Sequence, residues 1–99
     1  MLSIETIIKT VSKVFESEPI KKAWLFGSYA RGEQTSNSDI DILVDFDKEN
    51  YPSLLDHAGM MVELEEKLNT KIDIVPYERI FPSIKINIDK EKVLIYERS

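Results

Sequence analysis

Residues 39–46, DIDILVDF, are rich in β-forming residues and read as a central strand, which constrains everything around them. Side chains alternate along a strand, so Ile40 and Ile42 pack on one face while Asp39 and Asp41 project together from the other. The flanking segments supply the neighbours that such a strand needs. Residues 20–26, IKKAWLF, read as a short strand entering a tight turn at Gly27. KIDIVPY at 71–77 reads as a third strand ended by Pro76, and VLIYE at 93–97 as a fourth. Residues 3–17 place Ile4, Ile7, Ile8, Val11, Val14 and Phe15 at helical spacing behind Ser3 as N-cap, and this helix stops before Pro19. A second long helix is expected over residues 53–69, opened by Ser53 and Asp56 in a capping-box-like pair. Leu54, Ala58, Met61 and Leu68 share one of its faces, with Leu55 and Val62 on the shoulder. Glu65 falls near the centre of that apolar face, which points to contact with another chain there.

Residues 82–92 admit two readings. Ile84, Ile86 and Ile88 alternate with Lys85, Asn87 and Asp89 as in a half-buried strand, whereas Pro82 suits the first turn of a short helix. The remaining order is that of an α/β domain of the α+β type: a small mixed sheet of three to four strands with helices mainly on one face. With 99 residues, 42% of them hydrophobic, the chain suffices for a single domain over residues 1–99 and hardly for two.

The charge balance narrows the function. A net charge of -5 argues against general affinity for a nucleic-acid backbone, so no direct nucleic-acid partner is expected. The absence of cysteine fits a reducing compartment. MLSIETIIKTV has neither the basic start nor the long apolar core of a signal peptide, and no apolar stretch approaches the roughly 20 residues of a membrane span. The expectation is a cytoplasmic protein with no membrane partner.

Asp39 and Asp41 are the chemically demanding residues. Aspartate is a poor strand former, and like charges in a partly desolvated site raise each other's pKa or call for a cation. Oxygen ligands without Cys or paired His favour a hard ion such as Mg²⁺. Asp73 repeats the pattern between Ile72 and Ile74 in the next strand, so a third carboxylate can join the first two. Gly27 allows the backbone to turn sharply and approach a ligand, and Ser28 opens the short helix of YARGE, whose free N–H groups favour an anion. A phosphate cradle facing a carboxylate-bound metal fits metal-assisted phosphoryl or nucleotidyl transfer. On spacing alone, the rival reading of the two aspartates is a solvent-facing edge strand.

At these residues the chain resembles a known family. Gly27-Ser28, ten intervening residues and Asp39-x-Asp41 are similar to the signature of the polymerase-beta-like nucleotidyltransferases, and GSYARGE with SDIDILV most resembles their minimal branch, the MNT domains. The resemblance spans nearly the whole chain. It implies the polymerase-beta-like nucleotidyltransferase fold, with Asp39 and Asp41 binding two Mg²⁺ ions and Asp73 completing the metal site and helping to activate the incoming hydroxyl. Gly27 and Ser28 would hold the β and γ phosphates of ATP, with Arg31 and Ser38 joining the nucleotide-binding residues. It further implies a partner: MNT antitoxins pair with HEPN-domain ribonuclease toxins in hetero-oligomers and transfer AMP from ATP to a toxin tyrosine, releasing pyrophosphate. The family pattern has a helix at SIKINIDKEK, where this chain alternates.

Other residues carry blander readings. Arg31 suits a phosphate, a partner contact or plain solvent, and Glu33 is equally undecided. His57 has no second ligand near it in sequence and receives no chemistry. Trp24, Phe26 and Phe46 lie in or beside apolar runs and read as core. Two alternatives to protein adenylylation stand: a binding module that neutralises the toxin by occlusion, and transfer to a small molecule, for which the chain leaves no separate acceptor domain.

Overall fold

The structure is a computed structural model that describes residues 2–98. Its elements follow in the order α1 (Ile4–Phe15), β1 (Ile20–Phe26), α2 (Ser28–Arg31), β2 (Ile40–Phe46), α3 (Leu54–Leu68), β3 (Ile72–Pro76), α4 (Pro82–Glu91) and β4 (Val93–Glu97). The four strands form one sheet in the order β3-β2-β1-β4. β1 is antiparallel to both β2 and β4, whereas β2 and β3 run parallel, joined by the crossover through α3. The mixed α+β architecture is the one expected from the sequence.

One face of the sheet carries the core. Ala23 and Leu25 of β1, Ile40, Ile42 and Val44 of β2, Ile72 and Ile74 of β3 and Ile95 of β4 meet Ile7, Val11, Val14 and Phe15 of α1 and Met60, Leu64 and Leu68 of α3. α1 is capped as expected, with Ser3 Oγ accepting the Thr6 N–H at 3.1 Å. Ser53 Oγ does the same for Asp56 at the start of α3, also at 3.1 Å.

The buried face of α3 differs from the expected one. It is Met60, Leu64 and Leu68, spaced by four, while Leu54 and Leu55 are 84% and 83% exposed and Ala58 and Val62 also face solvent. The helix therefore has a second apolar stripe, roughly opposite its core face, and apolar counting alone merged the two. Glu65 does not point to another chain. Its Oε2 accepts the Ile72 N–H at 3.1 Å, while His57 Nε2 lies 2.8 Å from the Ile74 carbonyl oxygen. Ile40 pairs with the Lys71 carbonyl on the inner side of β3, so Ile72 and Ile74 turn these groups outward, and α3 closes that sheet edge with two polar side chains.

Residues 82–91 are helical, which corrects the strand reading of the Ile84–Ile88 alternation. Pro82 sits in the first turn, where its missing N–H costs nothing. α4 crosses the face opposite the core, and polar contacts hold it there. Asp89 accepts the Tyr77 hydroxyl at 2.7 and 2.9 Å and Lys92 Nζ at 2.5 Å. The Lys92 ammonium lies 4.9 Å over the Trp24 ring and 4.8 Å over Tyr77, and Lys85 lies 4.7 Å over Tyr77. No residue of α4 is fully buried, so its isoleucines do not report a burial period. No helix among the described residues is long and apolar enough to cross a membrane.

Candidate active site

Three strand segments converge at one end of the face opposite the core. Phe26, the last residue of β1, stands opposite Asp41 in the antiparallel ladder, and Asp73 stands opposite Asp41 in the parallel one. The register thus sets Asp41 between the end of β1 and the third carboxylate. Asp39 precedes β2, whose first residue, Ile40, is tied to the Lys71 carbonyl at 2.9 Å. Asp39 and Asp73 are exposed and Asp41 is half-buried.

Gly27 makes the close approach. Its backbone has φ +71° and ψ -151°, a region essentially reserved for glycine, and a Cβ there would lie 2.5 Å from Asp41 Oδ2. Ser28 follows as the first residue of α2, a single turn closed by Arg31 N–H to the Gly27 carbonyl at 3.2 Å and Glu33 N–H to the Ser28 carbonyl at 2.9 Å.

The charges act on one another. Burial pushes the Asp41 carboxyl above the ordinary aspartate range, and the negative charges of Asp73 and Asp39 push it further in that direction, against the pull of Arg31. Arg31 is itself occupied, with Nε 2.7 Å from Glu33 Oε1 and a terminal nitrogen 3.4 Å from Glu91 Oε2. These carboxylates raise the guanidinium pKa, the hydrogen bond that Arg31 donates to Glu33 contributing most. Ser38 shapes the turn before Asp39: its hydroxyl accepts the Thr35 N–H at 2.9 Å and its own N–H donates to the Thr35 carbonyl at 3.1 Å.

Among the described residues no group of three or more His, Cys, Asp or Glu side chains is placed so that it could hold a metal ion as it stands. Asp39, Asp41 and Asp73 are brought to one end of the sheet as an open set of hard oxygen donors. By donor type the set suits a hard divalent cation such as Mg²⁺, and the repulsion felt at Asp41 is of the kind that such a charge relieves. A cavity of about 380 Å³ opens elsewhere, lined by Thr10, Val14, Ser17 and Glu63 between α1 and α3.

Glu91 was invisible to sequence reasoning. It lies 60 positions from Arg31, and only the path of α4 across the open face brings the two together. Glu33, undecided from sequence, is the nearer partner of the same guanidinium.

The family described as polymerase beta, nucleotidyltransferase, matches residues 5–99. A protein of Methanocaldococcus jannaschii provisionally named protein adenylyltransferase MJ1379 is 38% identical over 93% of this chain and 94% of its own. Protein adenylyltransferase MntA of Thermococcus cleftensis is 36% identical over 93% of this chain and 92% of its own. Among solved structures, that of a tri-AMPylated Shewanella oneidensis HEPN toxin in complex with an MNT antitoxin has a chain that superposes with a TM-score of 0.73 at 15% identity, covering 97% of this chain and 74% of that one. At that identity the likeness speaks for the fold.

Proposed function

The chain belongs to the polymerase-beta nucleotidyltransferase family, and from that premise we propose that it is a Mg²⁺-dependent protein adenylyltransferase and antitoxin, transferring AMP from ATP to a tyrosine of a cognate HEPN-domain ribonuclease toxin. The observation that carries this reading is Asp41, held between the bare backbone of Gly27 and the carboxylate of Asp73. The names of the two relatives support a protein as acceptor. Occlusion alone would give no reason to hold three carboxylates together at the cost of mutual repulsion.

In this reading the backbone at Gly27 lets the triphosphate come close, and the Ser28 hydroxyl and N–H bind its β and γ phosphates. Asp39, Asp41 and Asp73 would hold Mg²⁺. When bound, the ions supply positive charge to the phosphate oxygens and to the attacking oxygen. The tyrosine oxygen bonds to the α-phosphorus, the bond from that phosphorus to the bridging oxygen of the β-phosphate breaks, and pyrophosphate leaves. Asp73 lies at the exposed edge of the set, suited to draw the proton from the tyrosine hydroxyl. Arg31 steadies the triphosphate once it exchanges Glu91 for phosphate oxygens, and Ser38 fixes the turn that aims Asp39. In this reading the reaction takes place in the cytoplasm, where ATP and the RNA targets of a ribonuclease are found.

The isotope position tests this. With a cognate HEPN-domain protein and Mg²⁺, α-labelled ATP leaves its label on a toxin tyrosine and γ-labelled ATP does not. Label from the γ position would make the chain a kinase. No label from either, with the toxin still neutralised, would make it an occluding antitoxin.

A further inference from the structure

Arg31 ends the single turn that Ser28 opens, and its N–H is bonded to the Gly27 carbonyl at 3.2 Å. The guanidinium is thus carried on the same turn as the phosphate-facing backbone. Its charge is felt at Asp41, so it lies within reach of the carboxylate set. Two carboxylates hold it, and they hold it differently. Glu33 lies two residues on, is itself tied through its N–H to the Ser28 carbonyl at 2.9 Å, and takes Nε at 2.7 Å. That contact moves with the turn and steadies the guanidinium. Glu91 arrives from the end of α4, 60 positions away, and meets a terminal nitrogen at 3.4 Å. A terminal nitrogen is the part of the guanidinium fork that a phosphate oxygen takes.

Other contacts seat α4. Lys85 and Lys92 lie over the Tyr77 ring, Lys92 also lies over Trp24, and Asp89 binds both Lys92 and the Tyr77 hydroxyl. Of the two cations that flank Glu91 in sequence, Lys92 is therefore committed to Asp89 and the rings, and Lys90 is exposed. The side chains of Arg31 and Glu91 are 42% and 44% exposed, so an incoming anion reaches their ion pair from solvent. The pair can open without unseating the helix.

We propose that Glu91 is a latch on the nucleotide site: it holds the Arg31 nitrogen that an ATP phosphate must take, and so sets ATP affinity from α4 by direct competition. This rests on the transfer reading above and adds a residue that opposes nucleotide binding. A triphosphate at the site exchanges its own oxygen for the Glu91 carboxylate, whereas Glu33 stays and keeps the guanidinium aimed. Exposed ion pairs are weak, so the latch lowers ATP affinity by about two- to fivefold and no more.

Calorimetry of the full chain with Mg²⁺ and ATP, with no toxin present, tests this. Glu91→Gln keeps the shape of the side chain and loses its charge, and ATP binds this variant about two- to fivefold more tightly. In an Arg31→Gln background the same substitution changes nothing, since no guanidinium remains to be released. Glu91→Asp, which keeps the charge on a shorter arm, also gains affinity. Unchanged or weaker ATP binding in Glu91→Gln overturns the latch. So does an equal gain with and without Arg31, which would make Glu91 a distant negative charge only. A gain in Glu91→Gln that Glu91→Asp does not share overturns it in the same way, even where the Arg31→Gln background binds too weakly to measure. These outcomes leave the transfer reading standing. Absence of Mg²⁺-dependent ATP binding by the unaltered chain overturns that reading, and the latch with it.

Discussion

Gly27 and Asp41 are packed so closely that a methyl group on the glycine would stand 2.5 Å from the carboxylate oxygen Oδ2. Sequence reasoning assigns the glycine to phosphate approach, but the geometry gives it an earlier duty, which is to leave room for the aspartate.

Replacing Gly27 therefore harms more than phosphate binding. Gly27→Ala forces a side chain into a backbone region at φ +71° that L-residues avoid, and displaces Asp41. The expected outcome is a loss of about 1–3 kcal/mol of stability in denaturant titration, with Mg²⁺-dependent ATP binding weakened in calorimetry. Full ATP affinity in this variant would show that Asp41 does not need its observed position.

The raised pKa of Asp41 fixes the sign of a pH effect. Its folded pKa lies above the unfolded value, so the folded chain binds the extra proton, and stability contributed by the protonated form is lost as pH rises through the folded pKa. Asp41→Asn removes this penalty. In metal-free buffer the variant has the higher denaturation midpoint at neutral pH, and the difference closes as the pH falls to the ordinary aspartate range. Adding Mg²⁺ stabilises the original chain and leaves the variant unmoved.

In the proposed transfer the three carboxylates divide their labour. Asp41→Ala eliminates AMP transfer and metal-dependent ATP binding, because its carboxylate is central to the set. Asp73→Ala lowers kcat roughly a hundredfold while ATP affinity changes little, if it serves the attacking oxygen as proposed rather than the triphosphate. Equal losses of binding in both variants, measured side by side, would remove this division.

Glu65 belongs to the fold and not to the chemistry. Glu65→Ala leaves the outward Ile72 N–H without its partner and costs about 1–3 kcal/mol by thermal or denaturant unfolding. AMP transfer below the unfolding transition stays unchanged, whereas a partner-facing Glu65 would raise KM for the toxin instead.

The strands and the convergence of carboxylates were legible because each signal is local: alternation through Asp41 and Asp73, a glycine at the end of β1, and β-formers between them. The face of α3 was not, since Leu54 and Leu55 obey the same helical spacing whether core or solvent lies over them. α4 was ambiguous for a different reason. It is seated by Lys92 on two aromatic rings and by Asp89 on Tyr77, contacts that leave no apolar rhythm in the sequence. The link from Arg31 to Glu91 joins positions that no short window contains, and the one from Glu65 to the Ile72 amide runs from a helix to the next strand, which no single periodicity registers.

The parallel pairing of β2 with β3 has a kinetic consequence. Strands so paired cannot form as a hairpin, and the chain must complete the whole crossover through α3 before Asp73 arrives beside Asp41. Contacts of such sequence separation pay their loop-closure entropy early and are rewarded late, so they tend to form slowly. A chain still emerging from the ribosome, or one clipped between α3 and β3, presents Gly27 and Asp41 but no complete set of carboxylates. In the proposed reaction, competence to modify a partner therefore arrives in one step, with the closing of the sheet.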